Sequence, residues 1–212
     1  LSGKEVRAIA KENRKIMNAL EKRKHRRADE SEFTTEMKDP ANILEIEDLH
    51  TYFFTDQGVV KAVNGVSFNV PKNATVGVVG ESGCGKSVTS MSVMQLLQGP
   101  QGQIVSGAIR FNSHDFKRDS HGNLIPTGEV DHNGTPLFEM EDKVFDIAKM
   151  PIHEIHRIRG RQIAMIFQEP MTSLNPVFTI GDQLDEVTFI HVPGATKEMA
   201  QARSMEMLSL VG

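Results

Sequence analysis

Tryptophan is absent from these 212 residues, and cysteine and tyrosine occur once each, as Cys84 and Tyr52. A single cysteine excludes an internal disulfide and fits a reducing compartment. No apolar run approaches the ~20 residues that a membrane-spanning helix needs. The first thirty residues are too highly charged to serve as a secretory signal. Nor does one sign of charge dominate. The net charge is −4, but residues 1–40 hold 11 Lys/Arg against 8 Asp/Glu, whereas the remainder holds 13 against 20. An acidic body with a basic N-terminal arm argues against nucleic acid as a partner. With 39% hydrophobic and 25% charged residues, the composition is that of a globular protein. The eleven methionines suit core gap-filling better than metal binding.

What is present is concentrated at Gly80-Glu81-Ser82-Gly83-Cys84-Gly85-Lys86-Ser87. This is the G-x-x-x-x-G-K-[ST] phosphate-binding loop, after the apolar run Ala74–Val79 (a predicted buried strand) and before a predicted helix. Gly80, Gly83 and Gly85 let the backbone curl so that N–H groups point at a polyphosphate. The helix starting near Lys86 adds its positive end. Lys86 can reach the β- and γ-phosphates of ATP, and the Ser87 hydroxyl can ligate Mg²⁺. Cys84 lies inside the loop.

Val6, Ile9, Ala10, Ile16, Met17 and Leu20 recur at helical spacing and lead into Lys22-Arg23-Lys24-His25-Arg26-Arg27. We read residues 1–40 as a basic helical leader and linker, either a solvated arm or one that touches an anionic membrane surface. Residues 41–212 form the main domain. Short alternating strands are expected over Ile43–Ile46, His50–Phe54, Val59–Val63 and Val66–Val70, making an antiparallel layer. A helix over Ser87–Leu97 turns Val88, Met91, Met94 and Leu97 inward. Residues 114–147 read as a hairpin-rich insertion, with turns at Asp119-Ser120-His121-Gly122 and Asp131-His132-Asn133-Gly134. A helix is expected from Pro151 to Arg159, a strand over Gln162–Phe167, and helices over Thr179–Ile190 and Thr196–Leu210.

The phosphate loop followed some eighty residues later by Gln168 resembles the ATP-binding cassette family. Ile166-Phe167-Gln168-Glu169-Pro170-Met171-Thr172-Ser173-Leu174-Asn175-Pro176 is similar to the Q-loop of ATPase subunits that drive oligopeptide, dipeptide and nickel importers. Ala62-Val63-Asn64-Gly65-Val66-Ser67-Phe68 and Gly77–Gly83 match the same subfamily, and the likeness covers about residues 42–212. The resemblance implies an α/β P-loop fold with a mixed β core, an antiparallel side sheet and the start of a helical subdomain. It implies ATP and Mg²⁺ as ligands, held by Gly80, Ser82, Gly83, Cys84, Gly85, Lys86, Ser87 and Val88. Phe53 stands where the family stacks adenine, with Tyr52 competing for that role. Gln168 would join Ser87 in the Mg²⁺ shell and position the attacking water.

The implied partners are transmembrane permease subunits through Met171–Pro176, a second ATPase subunit, and indirectly an extracytoplasmic solute-binding protein. The implied location is peripheral, on the cytoplasmic face of the membrane. Val88 stands where the family usually has Ser or Thr, and Cys84 where Ser is commoner. The sequence contains no Leu-Ser-Gly-Gly signature after Gln168, no apolar run ending in Asp-Glu and no identifiable switch histidine. It begins with Leu1 rather than Met and ends in a helical pattern at Leu210-Val211-Gly212, which suggests a piece of a longer protein, incomplete at its C-terminus. By itself such a chain would bind ATP without hydrolysing it. The alternatives are a non-catalytic ATP-binding regulatory module and another P-loop ATPase or kinase.

Overall fold

Strand-prone residues after Pro40 build a long hairpin in the computed structural model, which describes residues 2–131, 134–168 and 174–212. Strands β2 (Asn42–Thr55) and β3 (Gly58–Pro71) run antiparallel and are joined by Asp56-Gln57. Strand β4 (Gly102–Phe116) pairs antiparallel with the other edge of β2. Strands β1 (Thr34–Thr35) and β7 (Met140–Asp146) complete a five-stranded sheet of order β1-β7-β4-β2-β3. Ile46, Leu49, Ile109, Phe145, Ile147 and Met150 are buried. The chain divides into two compact units, 1–113 with 142–157 and 114–141 with 158–212.

In the first unit, helix α1 (Gly3–His25) starts at a capping box, in which Ser2 and Glu5 each bond the other's backbone. Its inward stripe of Val6, Ile9, Ala10, Met17 and Leu20 is half-buried, and Asn13 within that stripe is buried. The segment after α1 read as a polar linker from sequence. It instead carries Phe33, only 1% exposed, whose ring packs at 5.8 Å on Phe145. A lone aromatic among polar residues has no periodic signature, so its burial depends wholly on the partner strand.

Helix α2 (Lys86–Val93) is shorter than the periodicity suggests, because Gln95 takes a left-handed backbone (φ +48°). Its buried side chains include Thr89 and Ser92. Both hydroxyls bond within the helix, to the Gly85 and Val88 carbonyls, and the Ser92 hydroxyl also meets that of Thr51 at 2.8 Å. Polar atoms satisfied in this way can be buried at small cost.

Two apolar runs expected as strands form no ladder; the second makes a single parallel bridge, Ile163 to Arg159. Residues 74–80 are exposed, with Val79 at 93%, and Ile166 is 98% exposed. A strand apolar on both faces needs paired neighbours and covering helices, and among the described residues no strand pairs with either run. The predicted helix after Pro151 is instead a turn with a short 3₁₀ segment, Ile155–Arg157. There Arg157 is buried and bonds Glu30 at 2.7 Å.

In the second unit, β5 (Pro126–Val130) pairs antiparallel with β6 (Pro136–Phe138). The Asp119 carboxylate accepts from the backbone of His121 and Asn123, closing its turn. The second turn is closed by Asp131, whose backbone and carboxylate both bond Thr135; His132 and Asn133 lie outside the described residues. Arg161 stacks 3.5 Å from the Phe116 ring centroid and lies 3.6 Å from Asp115. Helices α3 (Ile180–His191) and α4 (Lys197–Val211) begin at threonine caps, Thr179 and Thr196. The buried pair Asp185–Ser204, at 2.6 Å, joins them.

Glu45 ties the chain before β2 to the sheet. Its buried carboxylate accepts from Lys38 N and Asp39 N, both at 2.9 Å, and from the Asn42 amide at 3.0 Å. Burial pushes its pKa up, but these bonds and Arg110 outweigh that and hold it below the ordinary value of 4.5. A depressed carboxylate contributes stability above its unfolded pKa and loses it as pH falls through the folded one. Glu45→Gln is expected to cost about 1–3 kcal/mol at neutral pH. The difference from wild type should shrink as pH falls below about 4.5, read from urea unfolding at a series of pH values.

Candidate functional site

Gly85 is where the loop from Gly80 meets helix α2. It caps the helix in the left-handed region (φ +97°), and a Cβ there would lie 2.3 Å from the Ala62 carbonyl oxygen. That carbonyl is available because β2 and β3 slip in register. Thr51 faces Val63 and Tyr52 faces Lys61, which leaves Ala62 as the extra residue of a bulge. Gly83 is also left-handed (φ +81°), in open space. The two glycines wind the chain so that the backbone N–H groups of Gly83, Gly85, Lys86, Ser87 and Val88 have no protein acceptor among the described residues. Unpaired N–H groups at a helix start, added to the helix dipole, form a cradle for an anion.

Lys86 completes the cradle. Its Nζ donates to the Gly80 and Glu81 carbonyls, both at 2.6 Å, and lies 3.6 Å from Cys84 Sγ. The loop is wound around its own cation, so positive charge stands ready inside it. Ser82, Cys84 and Ser87 are exposed, and the Ser87 hydroxyl bonds no other protein atom among the described residues. A free hydroxyl at the second helical position is a suitable donor for a hard cation such as Mg²⁺. Val88 is half-buried and contributes only its backbone N–H.

Phe53 lies on β2, opposite Val60 of β3 and Gly102 of β4. Its ring is partly exposed, with Cε1 2.9 Å from where a Gly102 Cβ would be. Tyr52 is otherwise engaged. Its hydroxyl donates to Asn64 Oδ1 at 2.8 Å, and Lys61 Nζ lies over its ring at 5.6 Å. Phe53 and the phosphate loop both belong to the first unit. Gln168 belongs to the second, where it is exposed. Of the Met171–Pro176 segment, residues 171–173 lie outside the described residues, as does Glu169. Asn175 is clamped by Gln183, which accepts from its N–H at 2.8 Å and donates to its carbonyl at 3.0 Å.

Sequence reasoning missed two residues near this site. Ala62 carries no signal, because a bulge depends on pairing. Asn13 does carry one: a lone amide inside an apolar helical stripe marks a buried polar group that requires partners.

A family model described as ABC transporter matches residues 63–212. The oligopeptide transport ATP-binding protein AppD of Bacillus subtilis is 40% identical over 172 residues, covering 81% of this chain and 43% of AppD. The dipeptide transport ATP-binding protein DppD of the same organism is 40% identical over 170 residues, covering 80% and 41%. The chain therefore spans about two fifths of the length of these relatives. Among solved structures, a dimeric post-hydrolysis state of the ATP-binding cassette MJ0796 bound to ADP and Pi superposes with a TM-score of 0.54 at 17% identity, covering 79% of this chain and 56% of that one. This likeness shows the fold: a P-loop architecture with a mixed β-sheet core and a helical subdomain.

Gly83→Ala forces only the left-handed backbone on a non-glycine residue, at about 1–2 kcal/mol. Gly85→Ala must also move the loop off the Ala62 carbonyl and should cost about 3 kcal/mol or more. Urea unfolding of both variants checks this ordering; equal losses would mean that the contact with β3 contributes nothing.

Proposed function

We propose, because this chain belongs to the ABC transporter family, that it is the ATP-binding part of a membrane importer for peptides. The observation that carries the reading is the cradle of unpaired N–H groups wound around Lys86 Nζ by Gly83 and Gly85. Names that refer to oligopeptide and dipeptide transport in the relatives support the substrate class.

In this reading the N–H groups of Gly83, Gly85, Lys86, Ser87 and Val88 receive phosphate oxygens. Lys86 exchanges its loop carbonyls for the β- and γ-phosphates. Gly80, Ser82 and Cys84 line the mouth of the cradle. Phe53 offers a π face to adenine, which suits it better than Tyr52, whose hydroxyl and ring already have partners. Ser87 is the residue of the first unit that would hold Mg²⁺, which when bound neutralises phosphate charge and favours attack by water. The likeness to the family's Q-loop is what gives Gln168 its proposed part in the Mg²⁺ shell and in orienting water.

The segment Met171–Pro176 contacts the permease, a second ATPase subunit completes the working pair, and a solute-binding protein delivers the peptide from outside. No helix among the described residues is long and apolar enough to cross a membrane. In this reading the chain sits peripherally on the cytoplasmic face, against the permease. Exposed basic residues at the end of α1 suit an anionic surface nearby.

Lys86→Ala is expected to keep the fold and weaken Mg·ATP at least tenfold, since a charge-assisted contact of this kind is worth about 1.5–3 kcal/mol. Calorimetry on wild type and variant reads this directly, and equal affinity in a folded variant would overturn the assignment of the loop.

The 212-residue chain should bind Mg·ATP yet turn it over no faster than buffer, because its sequence supplies no Walker B carboxylate to activate water. Asp182 does not fill that role here, since its carboxylate accepts from the Thr179 hydroxyl at the start of α3. Phosphate release that persists in wild type and vanishes in Lys86→Ala would refute this expectation.

A further inference from the structure

We propose that helix α1 is a brace that sets the position of the Phe53 ring, so that affinity for the nucleobase depends on Asn13 and Glu21. The inference rests on the reading of Phe53 as the base-stacking aromatic. It concerns a helix that lies outside the matched residues 63–212.

Asn13 is 5% exposed and stands in the apolar stripe of α1, where a helix held by hydrophobic contact alone would carry another apolar residue. Its Nδ2 donates to the Thr55 carbonyl at 2.7 Å and to the Gly58 carbonyl at 3.1 Å. These two carbonyls flank the turn Asp56-Gln57, and Thr55 follows Phe53 by two positions on β2. One amide thus pins both ends of the hairpin turn that leads out of the aromatic. The Thr55 hydroxyl reinforces it by donating to the Gly58 carbonyl at 2.9 Å.

The second grip is on the neighbouring strand. Two helical turns after Asn13, Glu21 accepts from Gln103 Nε2, which also donates to the Pro100 carbonyl at 2.9 Å. A Cβ on Gly99 would lie 3.2 Å from Glu21 Oε1, so α1 lies against this backbone as well. Gln103 adjoins Gly102, the residue that pairs with Phe53 and over which its ring edge sits. The ring therefore rests between two backbone segments, the β2–β3 turn and the start of β4, and α1 holds both. The phosphate loop is not held by these bonds. It meets the sheet elsewhere, where Gly85 approaches Ala62 and Val63 of β3. Loosening α1 should change how the base is received while leaving the phosphate cradle intact.

The test titrates the full 212-residue chain with Mg·ATP and, separately, with Mg·tripolyphosphate, which has the phosphates but no base. Wild type, Asn13→Ala, Glu21→Ala, Phe53→Ala and the Asn13→Ala/Phe53→Ala pair are compared by calorimetry. Asn13→Ala should weaken Mg·ATP by roughly three- to tenfold and leave tripolyphosphate within about twofold. The double variant should bind Mg·ATP no more weakly than Phe53→Ala alone, because the brace acts through that ring. Should Asn13→Ala melt below the assay temperature, Glu21→Ala carries the same comparison. An Asn13→Ala protein with unchanged ATP affinity, equal losses for both ligands, or additive losses in the double variant would each overturn the brace. A wild type that binds neither ligand would overturn the phosphate-loop reading, and the brace with it, whereas binding of both by wild type with Asn13→Ala unchanged would remove the brace alone.

Discussion

At Gly85 the backbone passes so close to β3 that a single methyl group would lie 2.3 Å from the Ala62 oxygen. The left-handed turn there ends the loop and starts helix α2 in one step. From that contact the rest of the site follows. The helix is pressed against the sheet, where the Ser92 and Thr51 hydroxyls meet, and its first N–H groups are left pointing away from any acceptor. A larger residue would push the loop off the sheet and change the direction in which those groups point. The site depends less on the number of its polar groups than on one backbone approach that only glycine permits.

Charge is handled locally throughout the first unit. Among the described residues Lys86 is solvated by carbonyl dipoles rather than paired with a carboxylate, which leaves its full charge available to an incoming anion. Carboxylates serve elsewhere as ties. Glu45 gathers residues 38, 39 and 42 at the start of β2, and Glu30 bonds Lys143 and Arg157. For Glu30, burial raises the pKa but the two cations lower it more. These ties, with Phe33 against Phe145, make the segment after α1 part of the body instead of a free linker.

The site was more legible in the sequence than the sheet around it. Gly80 to Ser87 could be read at once, because a turn that must expose N–H groups requires glycine at set positions and a cation just beyond. The antiparallel layer was legible for a similar reason, since alternation is a local signal, but the four short strands expected there are joined through bulges into the two long strands β2 and β3. The helix expected after Pro151 was not. Ile155 and Ile158 are spaced for a helix, yet one 3₁₀ turn serves the same burial. The runs 74–79 and 163–167 show the same limit from the other side. They have the composition of buried strands, but a strand exists only when a neighbour pairs with it.

The sequence by itself determined the glycine-rich turn Gly80–Ser87 and the chemical type of each residue in it, because these rest on local backbone requirements, and its motifs already carried the likeness to the family that the family model shows. The tertiary structure decided what depends on residues far apart in the chain. It made Ala62 the bulged residue against Gly85 and turned Tyr52 away to Asn64 while Phe53 settled on Gly102. It also seated the helical leader, already legible as a helix, so that its buried Asn13 holds the Thr55 and Gly58 carbonyls. The physical reason is common to all three. A buried donor, a bulge and a close backbone approach are each defined by a partner, and local patterning cannot specify where a distant partner will lie.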